Sequence, residues 1–136
     1  MFDKNIFYTL LILYFILYVM KSTKIPTRNE IPEQDKWDLS SLYLSESDWE
    51  MDLTLLPDLA KEILSYKGKL SESPDTLRNA LDTYCRLLMI FETTGAYAFL
   101  LTAGDAENPE NQNKYGRYIM AATAAEAEIS FFVPEL

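Results

Sequence analysis

SPDTLRNALDTYCRLLMIFETTGAYAFLLTAG, residues Ser73 to Gly104, decides the fold class. Ser73 offers a side-chain oxygen to orphan backbone N–H groups, so it reads as a helix cap. Pro74 fits the first helical position, where its missing donor is not needed. Asp75 suits a first turn. Leu77, Leu81, Tyr84, Leu88, Phe91, Gly95 and Ala98 then recur at four- and three-residue steps, the period of one apolar helical stripe. The spacing predicts a long helix that ends near Gly104.

The same device follows at once. Asn108 caps, Pro109 takes the first position and Glu110 lies in the first turn. Tyr115, Tyr118, Ala122, Ala125, Ile129 and Phe132 carry the stripe, and the small residues Ala121, Ala122, Ala124 and Ala125 let a neighbouring helix approach closely. The link 105–108 is short, so these two helices are expected to be antiparallel neighbours with a shallow, coiled-coil-like crossing. Pro134 ends or kinks the pattern. Upstream, Ser45 opens an earlier helix with an acid three residues on, at Asp48, as in a capping box. Trp49, Leu53, Leu56, Ala60 and Ile63 form its stripe. Pro57 falls inside it and predicts a kink or a break; Gly68 is the expected stop. No strand pattern is present. The expected fold is all-α, with an apolar N-terminal helix over 1–22, an extended arm over 23–44 and a helical domain over 45–136.

Composition narrows the function. The 136 residues include no His and a single cysteine, and the net charge is −9. From Trp37 onward 17 acids face 7 bases, which disfavours nucleic acid and anionic lipid as partners of the body. Without imidazole there is no Ser-His-Asp or Cys-His site and no common zinc ligand set. Cys85 cannot form an internal disulfide, and fits a reducing compartment.

Residues 6–20 are uncharged. As a helix they reach roughly 22 Å, short of a hydrocarbon core of about 30 Å. Three readings stay open: a membrane anchor belted by Tyr8, Tyr14 and Tyr18, a cleaved signal, or a mis-called start upstream of Met20. Lys21, Lys24 and Arg28 follow the run, and would leave the body of an anchored protein in the cytoplasm.

Other candidates read as structure before chemistry. Asp105, Glu107 and Glu110 match no EF-hand spacing, and read as a solvated cap cluster. Glu126 and Glu128 point different ways on a helix, and read as surface charges. Cys85 reads as a quiet, partly buried thiol. Trp37 is expected to pin the arm by burying its ring, with Asp38 capping a short turn. The apolar ending 129–133 reads as an unmet face, which predicts that the isolated chain oligomerises or is marginally folded.

The ordered set Ile25-Pro26-Thr27-Arg28, Glu30-Ile31-Pro32-Glu33 and Lys36-Trp37-Asp38-Leu39-Ser40-Ser41-Leu42-Tyr43 resembles the N-terminal signature of the oligoendopeptidase F family, M3-type zinc metallopeptidases. The resemblance continues through Trp49-Glu50-Met51-Asp52-Leu53, Tyr66-Lys67-Gly68-Lys69-Leu70, Tyr97-Ala98-Phe99-Leu100 and Asn108-Pro109-Glu110, and covers roughly residues 24–136. Leu44 stands where the family often has Pro, and Glu107 where it has Thr. The run 6–20 is no part of the pattern. The resemblance implies a large helical peptidase of short peptides, with Zn²⁺ held by a His-Glu-x-x-His helix and a further Glu. None of that motif is in this chain. No catalytic, cofactor-binding or metal-binding residue is therefore assigned to it. The expected role is one non-catalytic wall of the enclosure, inactive alone, cytoplasmic, with the catalytic domain as its partner and short peptides as substrates of the whole. The alternative is a membrane-tethered helical adaptor that binds a protein through an apolar helix face.

Overall fold

The computed structural model describes residues 12–15 and 26–136. These fall in two compact units, Met1–Ile31 and Pro32–Leu136. In the first unit, residues 12–15 are helical and exposed, and the rest of the apolar run 6–20 lies outside the described residues. Arg28–Glu30 forms a 3₁₀ turn. Glu30 reaches back to accept from the Thr27 backbone N–H at 2.7 Å and the Thr27 hydroxyl at 3.0 Å.

The second unit opens on another 3₁₀ turn, Glu33–Asp35. The segment expected to be a plain extended arm is thus interrupted by two turns, each placed beside a proline (Pro26, Pro32) that disfavours regular extension into a sheet. Four helices follow: α1 (Glu46–Leu64), α2 (Pro74–Gly104), α3 (Pro109–Ile129) and the short α4 (Phe132–Glu135). No strand occurs among the described residues, and the fold is all-α.

The three predicted caps hold. The Ser45 hydroxyl accepts from the Asp48 N–H at 3.3 Å and also faces the Asp48 carboxylate at 2.7 Å. Ser73 accepts from the Thr76 N–H at 3.0 Å. Asn108 accepts from Glu110 at 2.9 Å and Asn111 at 3.3 Å. Pro57 does not break α1, which runs through it as one helix. It stands on the exposed side, away from the packed stripe, so its lost donor disturbs no core contact. The helix also stops before the expected point, at Leu64. N–H groups of Tyr66 and Lys67 bond back three residues to Ile63 and Leu64, tightening the end into 3₁₀ form. Gly68, at φ +71°, turns the chain in the left-handed region, where a Cβ is strained.

Each long helix packs on the other two. The register of their contacts gives the topology. Trp49 meets Thr94 and Glu62 meets Thr83, so α1 and α2 run antiparallel. Phe91 meets Tyr118 and Phe99 meets Tyr115, so α2 and α3 are antiparallel as expected. Glu46 meets Lys114 and Glu50 meets Arg117, so α1 and α3 are parallel. The result is an up-down-up bundle.

The stripe expected on α1 is buried in full, with Leu59 added. On α2 the stripe is rotated. Its buried line is Ala80, Thr83, Leu87, Thr94, Gly95 and Ala98, while Leu77, Leu81, Tyr84 and Phe91 only flank it and Leu88 is 41% exposed. The reason is that α2 is apolar around much of its girth and touches two helices, so the largest residues sit at the edges and small ones at the centre. Thr94 tolerates full burial because its hydroxyl donates to the Ile90 carbonyl at 2.7 Å. By length and composition α2 could cross a membrane; here it packs against both α1 and α3.

The apolar ending, expected to be an unmet face, is covered in part, while Val133 stays 62% exposed. After α3 comes the short α4, and Ile129 and Phe132 are buried. Phe132 stacks on Tyr84 at 4.5 Å between centroids. Glu135 accepts from the Gly68 N–H at 2.8 Å, and Lys67 lies over Phe131.

Candidate functional site

The densest polar constellation lies along the α1–α3 seam. Parallel packing brings the first turns of α1 and α3 to the same end. There Glu46, Pro109, Glu110, Asn113, Lys114 and Arg117 line a shallow open hollow. Lys114, with only 12% of its side chain exposed, holds Glu46 at 2.7 Å. Arg117 forms a fork-to-fork pair with Glu50 and lies over the Trp49 ring, 5.6 Å from its centroid. The bond from Arg117 holds the Glu50 carboxyl below its usual range. Both cations are thus already occupied, and Glu50 is held in its charged form. The seam fixes the helices and offers no acid–base pair.

A second cluster supports the entry of the chain into α1. Tyr43 is buried, donates to Asp52 at 2.9 Å and meets Tyr97 edge-on at 5.3 Å. Burial, then the Asp52 carboxylate, push the Tyr43 phenol above the ordinary tyrosine range. Below it the indole N–H of fully buried Trp49 donates to the Thr94 carbonyl at 3.0 Å.

The structure corrects three expectations here. Trp37 is 56% exposed and does not pin the arm by burial; Tyr43, six residues on, does the burying, because it alone finds both an aromatic wall and a carboxylate for its hydroxyl. Cys85 is exposed, on the outer side of α2. Glu128 is not a plain surface charge: one carboxylate oxygen is sealed from solvent with no partner among the described residues. Asp38 does cap a turn, accepting from the Ser40 N–H at 2.9 Å; the Ser40 hydroxyl first, and then this backbone bond, hold its carboxyl below the usual range. Asp105 is half-buried while Glu107 and Glu110 are exposed. Tyr66, Tyr84, Tyr97, Tyr115 and Tyr118 pack against the core.

Comparison with known proteins supplies what this geometry lacks. The chain is 30% identical over 109 residues to the oligoendopeptidase F homolog of Borreliella burgdorferi, an alignment that takes in 80% of this chain and 18% of that protein. Over 116 residues it is 26% identical to the oligopeptidase PepF of Bacillus subtilis, across 85% of this chain and 17% of that protein. The plasmid oligoendopeptidase F of Lactococcus lactis subsp. cremoris is 28% identical over 113 residues, 79% of this chain and 18% of its own. Over about four-fifths of its length the chain is similar to oligoendopeptidases F. It spans less than a fifth of the length of these curated oligoendopeptidases F. No protein-family model matches it, and no solved structure matches it.

The zinc that the family resemblance implies does not fit these residues. The sequence has no His, and no three His, Cys, Asp or Glu side chains converge on a metal-sized point among the described residues. Lys114 and Arg117 could have been found from sequence only through the parallel register of α1 and α3, which no local pattern encodes.

Proposed function

We propose that this chain is the N-terminal helical part of an oligoendopeptidase F-like zinc metallopeptidase of the cytoplasm that hydrolyses short peptides. It is one wall of the substrate enclosure and is inactive by itself. One observation carries the reading: three relatives align with about four-fifths of this chain, while the same alignments take in only 17–18% of their own lengths. The paired seam of α1 and α3 supports it, since Lys114 and Arg117 are engaged with Glu46 and Glu50 in holding helices. A hydrolytic zinc site needs imidazole or an equivalent ligand set; this chain has no His, and no ligand cluster occurs among the described residues.

The test is a replacement. The stretch of the Bacillus subtilis oligopeptidase PepF that matches this chain is exchanged for residues 26–136, and cleavage of short peptides is measured. Retained peptidase activity is the expected result, with no hydrolysis and no stoichiometric zinc in the purified chain alone. An inactive but folded hybrid, or turnover by the chain alone, overturns the reading.

A further inference from the structure

We draw no further inference here: the strongest candidate, the exposed apolar face of α2 that carries Leu88, Met89 and Phe99, carries nothing, because nothing in the structure shows what covers it.

Discussion

A methyl group added at Gly95 would lie 2.5 Å from the ζ-carbon and hydroxyl of Tyr118. The ring cannot swing aside freely, since Phe91 meets its edge at 5.9 Å and Tyr115 lies 6.3 Å away. Two effects compete in Gly95→Ala. Helix propensity favours Ala by about 1 kcal/mol, while overpacking costs about 1–3 kcal/mol. The expected outcome in urea unfolding is a net loss of about 1 kcal/mol. In a Tyr118→Ala background the clash is gone, and the same substitution should stabilise by up to about 1 kcal/mol. Trp49→Phe removes both the indole donor to Thr94 and buried volume, and should cost about 2 kcal/mol in the same assay. Tyr43 gives a pH signature. Its phenol is raised in the folded state, so the unfolded chain loses its proton first, from about pH 10. Stability is therefore whole below that pH and falls as pH rises beyond it. Tyr43→Phe should flatten this alkaline fall, measured as unfolding free energy near neutrality and above pH 10. Tyr118 shifts in the same direction and should account for part of what remains.

At the scale of the helix, the ends were legible and the faces less so. A cap is a local event. Ser73 and Asn108 each need only a side-chain oxygen and two or three residues of following backbone, all of which the sequence displays. Asn108→Ala should cost about 1 kcal/mol by thermal or urea melting, since two N–H groups lose their acceptor. A buried face is a relation between elements. The stripe of α1 was legible because its opposite side is polar, whereas α2 carries Leu88, Met89 and Phe99 on outer sides as well, so period alone could not say which line faces inward. The choice between Trp37 and Tyr43 failed for the same reason. Which ring is buried depends on Tyr97 and Asp52, far along the chain or on another turn. The candidate site was the least legible. Lys114 and Arg117 acquire meaning only when α1 lies parallel beside α3, 67 or more residues away in sequence.

For the whole molecule, charge sets the balance. A chain at −9 repels itself in the compact state. Raising sodium chloride from about 10 mM to about 150 mM shortens the reach of that repulsion to about 8 Å. The melting temperature of the isolated chain is expected to rise by a few degrees, even though salt weakens the exposed pair of Arg117 with Glu50. A fall on adding salt would mean that the helix-joining pairs outweigh the repulsion.

The up-down-up order has an electrical consequence. Peptide dipoles of α1 and α3 add, and only α2 opposes them. Forty residues of α1 and α3 point one way against 31 of α2, so the pole where α1 and α3 begin is net positive. Glu46, Asp48 and Glu110 gather at that pole and compensate it. Acidification strips these carboxylates of charge and leaves the pole bare, so loosening of the fold at low pH should begin there, with the amides that open α1 and α3 exchanging before those at the opposite end.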